Sequence, residues 1–504
     1  MSATRMPIGS TQGLEAGAVG QRLKRFIPPR AHVNSLIAAS GSTVLARARY
    51  LARNNAYAGN AIDFFASQVV GTGIVPSWKG MADRPDLKKA LADAWLAWTD
   101  ESDADGQSDL YGQQRAAAKE LFIANEVFIR MRLRRPDDGL LVPLQLQMLP
   151  SEMLPINDNR SLGNGNVVRQ GVEFDQIGRR VAYWFWRQHP EDYTVPQSRG
   201  DAGRQTRVPA DQVLHIMDGT EAGQIRGLTR MARGIVPLWL LDLYDDAELD
   251  RKRTAALFAV FRKMQAEFEP SSHGAEDNGD GTAEQELAPG AQIILQPGED
   301  ISVAAPADVG GSYEAFQYRN LLRAAAALNI PYVGLTGDMV RANYSNLRGA
   351  LIDFRRRAST FQHSVLVFQM CRPIVKAWLP LAVMSGAVRG LTPAGLVADR
   401  ARVGRVAWTP PSWEWVDPAK DVKAAKDEVD AGFRSRSSVI EARGEDPDEV
   451  DAEIAAERAR EQRNGLGETG SAFAGKAATA PAAPAPDPVE EEQPPENPEG
   501  PKDE

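Results

Sequence analysis

Few residues in this 504-residue chain stand at spacings that do chemistry. "GLGETG" (Gly465–Gly470) fits a dinucleotide pattern letter by letter, yet such a loop must follow a strand and open a helix for its N–H groups to meet a pyrophosphate. Here it follows a charged helix and opens a polar tail. "ESDADGQSDLYG" (Glu101–Gly112) places Asp103, Asp105 and Gly106 as a calcium loop would, then offers Gly112 where a bidentate carboxylate is required. A helix-terminating acidic loop accounts for it better. Asp242, Asp245, Asp246, Glu248 and Asp250 crowd one helix, where a solvated or lumen-facing surface suits them better than a metal does. His32, His189, His215, His273 and His363 lie far apart with no ligand spacing. Trp184 and Trp186 share one face of a strand, a pattern commoner in cores and interfaces than in base-stacking platforms. Asn343-Tyr344-Ser345 spells a glycosylation sequon, which a cytosolic chain never presents to that machinery. The phosphate-loop, zinc-protease, nucleophile-elbow and paired-cysteine signatures are all missing. The expectation is a protein that is not an enzyme and uses no metal and no cofactor.

Composition bounds the partners. The net charge is −9, but the stretch from Gly465 onward holds nine acidic and two basic residues, so nearly all the acidity sits in the tail. A near-neutral body has no overall drive to grip phosphate by counterion release, and still tolerates transient contact with DNA. No run approaches eighteen consecutive apolar residues, so no membrane span is expected. Without a signal-like N-terminus, and with Cys371 as the single cysteine, a reducing cytosol is the expected compartment.

The elements that must position these residues read as α+β, mainly helical. Residues 1–40, rich in Gly, Ser and Ala with a small basic cluster, read as a flexible arm. Asn54 or Asn55 can cap a helix burying Ala58, Ile62, Phe65 and Val69, with Gly71 as its left-handed stop. A second helix turns Leu87, Leu91, Trp95 and Trp98 inward, and a third follows near Leu110. Between Glu126 and Asp218 the period changes to two, which predicts one antiparallel sheet of modest size. From Ile235 the apolar steps Val236, Leu240, Leu243 and Ala247, then Leu257, Phe261, Met264 and Phe268, predict a continuous rod of roughly 50 Å. After a loop-rich detour, in which "AQIILQPGEDISV" reads as two strands around a Pro-Gly turn, a return helix carries Tyr313, Phe316, Leu321, Ala324 and Leu328. Two such rods cannot cover both apolar faces alone, so copies of the same chain are the expected cover. A third rod places Leu347, Leu351, Phe354, Ala358, Phe361, Val365 and Phe368 on one seam, with a kink expected near Pro373. Three short helices lead to about Arg463, and residues 465–504 form an acidic, Pro-rich, disordered tail.

Several segments resemble the lambda-type portal proteins of tailed bacteriophages: "RARYLARNNAYAGNAIDFFASQVVGTGIVP", "GQIRGLTRMARGI", "NIPYVGLTGDMVRANYSNLRG" and "PSWEWVDPAKDVKAAKDEVDAGF", in the family's order from about Arg47 to Val450. The resemblance implies a portal-type fold assembling as a ring, usually a dodecamer, at one capsid vertex. Through it a terminase large subunit pumps double-stranded DNA, which later leaves. It further implies contact with the major capsid protein and head-tail connector proteins, no membrane, assembly in the bacterial host cytoplasm, and a place in the virion. On this chain it implies a wing over 41–235, a first stem helix over 236–268, a clip over 269–310 and a second stem helix over 311–330. A tunnel loop over 331–345, a long wing helix and extended segment over 346–416, and crown helices over 417–464 follow. The DNA channel is then expected to involve Asp242, Asp245, Asp246 and Glu248 on the stem and Asp338, Arg341, Asn343, Tyr344 and Arg348 around the tunnel turn. The alternatives are a ring-forming head-tail adaptor or scaffold without a DNA channel, and a nucleic-acid-processing enzyme.

Overall fold

The computed structural model describes residues 25–194, 203–256, 312–340, 343–413 and 418–464, with short strand segments at 260–263, 276–277, 283–284 and 292–295. The elements run α1 (Val33–Asn54), α2 (Ala56–Val69), β1 (Val75–Ser77), α3 (Pro85–Thr99), α4 (Leu110–Ile123), β2 (Glu126–Leu133) and β3 (Leu144–Pro150). Then come β4 (Arg160–Ser161), β5 (Val167–Arg169), β6 (Val172–Phe174), β7 (Arg180–Trp186), β8 (Gln205–Pro209), β9 (Val213–Met217) and α5 (Ile235–Ala256). Four short strands follow, β10 (Val260–Lys263), β11 (Glu276–Asp277), β12 (Ala283–Glu284) and β13 (Gln292–Leu295), before α6 (Ser312–Leu328), α7 (Tyr332–Thr336) and α8 (Tyr344–Phe361). A π-helical stretch (Gln362–Cys371) leads into α9 (Arg372–Met384), α10 (Pro393–Ala398), α11 (Arg400–Val403), β14 (Ala407–Thr409), α12 (Pro418–Asp430), α13 (Arg436–Ala442) and α14 (Pro447–Arg463).

Two compact units divide the chain at Asp427/Glu428. In the first, α2 is capped as its sequence requires. The Asn55 side chain accepts from the Ala58 N–H at 2.8 Å, the predicted Ala58, Ile62, Phe65 and Val69 are buried, and Gly71 takes φ +52°. The tryptophans of α3 pack with Trp78 and Trp378, ring centroids 5.0–6.3 Å apart, and β1 pairs with β14 beside them. In the second unit α13 packs on α14, joined by Arg436–Asp451 at 2.5 Å, and α14 buries none of its residues.

Several expectations need correction. The N-terminal arm is shorter than 40 residues, because α1 begins at Val33 and buries Val33 and Ile37. The period-two region folds into two sheets: three strands in the order β3-β2-β9 and five in the order β4-β5-β6-β7-β8. One hydrophobic cluster formed with the helices covers the first, and a separate cluster around Phe128, Tyr183 and Phe185 joins the second to it. The first rod is also shorter than predicted. The described helix ends at Ala256, and by Val260 the chain is a strand paired parallel to β13. The second half of the predicted Pro-Gly strand pair, like Met264, Phe268 and residues 465–504, lies outside the described residues.

The third rod keeps its seam only through Val365. Phe354, Ala358, Phe361 and Val365 are buried, but the π-helical stretch advances fewer degrees per residue, so Leu366, Val367 and Met370 turn inward and Phe368 is 62% exposed. This irregularity runs directly up to Pro373, where a kink is expected. By length and composition the run Ser345–Met384 could cross a membrane. Its buried face instead stacks on α2, Phe64 on Phe354 at 5.2 Å and Phe65 on Phe361 at 5.3 Å, as the core helix of a globular body does.

Candidate functional site

The α5–α6 pair is rooted in the body by buried charge. Glu126, wholly inaccessible on β2, receives the Arg226 guanidinium Nε at 2.9 and 3.0 Å, the Gly227 N–H at 3.0 Å and the Ser151 hydroxyl at 2.5 Å. Arg226 spends its other donors on the carbonyls of Leu154, Gln170 and Ser151 at 2.9–3.0 Å. His215 on β9 completes the knot, its Nε2 2.8 Å from Glu126 and its Nδ1 3.2 Å from Arg180. An arginine only donates, so Nδ1 must accept and Nε2 must carry the hydrogen given to Glu126. Burial pushes the His215 pKa down, with Arg180 and Arg226 adding to it, and the imidazole is neutral. Burial alone would raise Glu126, but Arg226 and His215 outweigh it and hold the carboxyl far below its ordinary 4.5. Gly227 is obligatory, since a Cβ there would lie 2.4 Å from the Glu126 Cβ. Arg230, four residues on from Arg226, stacks on Phe65 and Phe361 at 4.9 and 5.0 Å. The segment entering α5 is thereby fixed to both sheet and helices.

Above this root the rods run antiparallel. Gly234 meets Leu328 at the base, and farther along Tyr244 stacks on Tyr313 at 5.8 Å and on Phe316 at 4.6 Å. Most of the predicted stem acids hold this packing. Asp242 accepts from the Asn55 side chain at 2.7 Å, Asp245 from the Tyr313 hydroxyl at 3.0 Å and from Gln317, and Glu248 is buried against Arg251 at 2.6 Å. Asp245 helps raise the Tyr313 pKa to about 12, after the larger contribution of burial. Asp246 alone of the four is exposed. The opposite face of α5 is apolar and uncovered: Val236, Trp239, Leu240 and Leu243 are 59%, 43%, 57% and 46% exposed, while Leu238 and Leu241 face the core. The stripe predicted to need a cover therefore has none among the described residues of a single chain.

The 331–345 segment is half helix. α7 is docked on α2, with Asn60 donating to the carbonyls of Gly334 and Leu335 at 3.0 and 2.9 Å, and Gly337 ends it at φ +71°. Asp338 then pins the turn, accepting from the Val340 N–H at 2.9 Å and the Tyr332 hydroxyl at 3.3 Å. The tip is apolar: Met339 is 59% and Val340 94% exposed. Asn343 is the N-cap of α8, accepting from Asn346 at 2.8 Å, and Arg348 pairs with Asp421 on α12 at 3.2 Å. Arg341 and the Tyr344 side chain lie outside the described residues. The structure thus gives Asp338, Asn343 and Arg348 separate local partners, in the turn after α7, at the α8 N-cap and on α12, and sets Asp242, Asp245 and Glu248 into the α5 packing.

The other predicted chemistry resolves into local structure. Asp103 accepts from the N–H groups of Asp105, Gln107 and Ser108 at 2.9–3.1 Å, an Asx loop, and Asp109 caps α4. Trp184 lies on the outward face of its sheet, donating to Glu173 at 3.1 Å beneath the Arg160 guanidinium at 4.3 Å. Among the described residues no cluster of three His, Cys, Asp or Glu could hold a metal. Sequence reading missed the Glu126–Arg226–His215 knot. The only signal for it is Glu126 at the head of a strand whose next three residues are apolar.

Comparison with known proteins identifies the family. The family described as "Phage portal protein, lambda family" matches residues 19–362. A probable portal protein of Halomonas phage phiHAP-1 is 26% identical over 437 residues, covering 84% of this chain and 81% of that protein. Portal protein B of Escherichia phage lambda is 21% identical over 485 residues, covering 89% of each. A chain in the neck of a native gene transfer agent particle computed with C12 symmetry aligns with TM-score 0.42 at 15% identity, covering 79% of this chain and 94% of that one. With the family matched across most of its length, the chain belongs to the lambda family of phage portal proteins.

Proposed function

We propose that copies of this chain close into a ring, twelve in number as the family resemblance implies, at one vertex of a phage head. Double-stranded DNA passes through it during packaging and exit. The observation that carries this is the uncovered apolar stripe of α5. Side chains of that size, aligned on a helix that is otherwise packed, mark a protein interface rather than ordinary surface. A cyclic arrangement covers the same face on every subunit and leaves none open. In this reading α5 and α6 are the stem, the strand segments between them belong to a clip that meets the terminase large subunit and then the head-tail connectors, and the sheets with α8 and α9 form a wing against the major capsid protein. α12 to α14 form the crown. The ring is built in the bacterial host cytoplasm and remains in the virion. The lumen role falls first to Asp246, since Asp242, Asp245 and Glu248 already serve packing. At the tunnel turn the uncharged Met339-Val340 tip lets duplex slide, and Arg341 and Arg348 touch phosphate only in passing.

Native mass measurement and negative-stain imaging of the full chain test this. Wild type should give closed rings with an axial hole wide enough for a duplex. Leu240→Glu with Leu243→Glu should give folded monomers by circular dichroism. Rings from the double variant, or a wild type monomeric at high concentration, would overturn the proposal.

A further inference from the structure

Between α9 on one side and α10, α11 and β14 on the other runs a groove of about 700 Å³ that none of the roles above uses. Its floor is apolar, built from Val375, Leu379, Leu396 and Trp408. Its walls carry Arg372, Lys376, Arg400 and Arg405, and no carboxylate lines it. Among the described residues none of these four cations forms an ion pair, whereas nearby Arg402 and Arg84 do, with Asp83 and Asp399. The wall is open as well as charged. Val397 is 77% exposed at the rim, and Phe368, exposed by the π-helical turn, lies under the Arg372 guanidinium at 5.9 Å.

We propose that this groove docks an acidic amphipathic helix of another protein. An apolar floor of this volume takes leucine-sized side chains, and helices insert such anchors at three- and four-residue steps. The part of α9 that lines the groove, Arg372 to Pro380, rises about 12 Å, which matches about two turns of a guest helix. Four unpaired cations with no acid among them select carboxylates flanking those anchors, and steer the approach over a distance that salt shortens. Duplex DNA would use the cations and waste the floor, because its backbone projects nothing apolar into a cavity. An acidic segment without apolar side chains has the same defect.

Fluorescence anisotropy on the full-length chain separates these occupants. The probe is a labelled 18-residue helical peptide with leucines on one face and glutamates flanking them. It is compared with a scrambled peptide of the same composition, a peptide of residues 482–504, and a 20-base-pair duplex. The amphipathic peptide should bind in a salt-sensitive way and at least about tenfold tighter than each comparison. Lys376→Glu with Arg400→Glu should weaken it by about tenfold or more, and Val397→Ser should weaken it without altering salt sensitivity. All three positions are exposed, so circular dichroism should be unchanged. Equal binding of the scrambled peptide, the 482–504 peptide or the duplex would overturn the proposal. So would an unchanged affinity in the charge-reversed variant, or no binding of the amphipathic peptide at about 0.1 mM.

Discussion

Arg226 and Glu126 have no water to fall back on. Each is under 3% exposed, and their polar atoms are taken up by one another, by Ser151 and His215, and by fixed backbone. Replacing Arg226 with Met should leave an uncompensated buried carboxylate and cost about 3–5 kcal/mol, read as a lower urea midpoint at unchanged slope. The pH dependence has a definite sign. His215 and Glu126 both have folded pKa values below their ordinary 6.5 and 4.5, so the unfolded chain takes up each proton first. Their contribution is complete above about pH 6.5 and shrinks as pH falls, first through the histidine and then, below about 4.5, through the glutamate. Stability followed from pH 7 to 3 should fall in those two stages, and Glu126→Gln should be less stable at neutral pH and flatter below 4.5. Beyond the position of Glu126 the sequence carried no sign of this knot, because its members come from β2, β9 and a loop and meet only once the three-stranded sheet has formed.

Elements were legible wherever local signals and tertiary packing agreed. The Asn55 cap, the Gly71 stop and the four-residue stripe of α2 were all readable, as was the period of two that β2 and β3 share as an antiparallel pair. Legibility failed where a period persisted but the backbone changed pitch. Phe368 continues the seam in sequence, yet the π-helical stretch rotates it outward. The stripe of α5 was read correctly as apolar, and the described residues of a single chain leave it uncovered. The segment after α6, expected as a loop, includes the short helix α7. Since α7 contributes buried Leu335 and two bonds from Asn60, deleting 331–345 should disrupt the fold, whereas replacing only 338–342 with a Gly-Ser linker should spare it. Assembly by native mass and head filling in a packaging assay would read the two apart. The shorter replacement is expected to form rings and to package poorly.

At the scale of the whole molecule, a ring that passes DNA must avoid gripping it. Each cation added to the lumen neutralises a phosphate and steepens the fall of affinity with salt by about one unit of slope. Asp246→Lys, at the exposed acid of α5, is therefore expected to raise retention of duplex on assembled rings at low salt and to make that retention more salt-dependent than in wild type. Unchanged retention would remove Asp246 from the lumen. The family and its broad role were legible from sequence because the matching segments keep their order along the chain. Which acids remain free was not, because partners such as Asn55 and Tyr313 lie far from Asp242 and Asp245 in sequence.

The pairing of β1 with β14 has a consequence for timing. Val75 to Ser77 find their strand partner only at Thr409 to Ala407, and Gly80 donates to the carbonyl of Arg405. A nascent chain still on the ribosome lacks that partner until nearly all of the body has emerged, so its early segments wait with an open strand edge. Folding of the first compact unit is therefore completed only after Thr409 has left the ribosome, and until then Val75 to Ser77 depend on whatever keeps a bare strand edge from pairing wrongly.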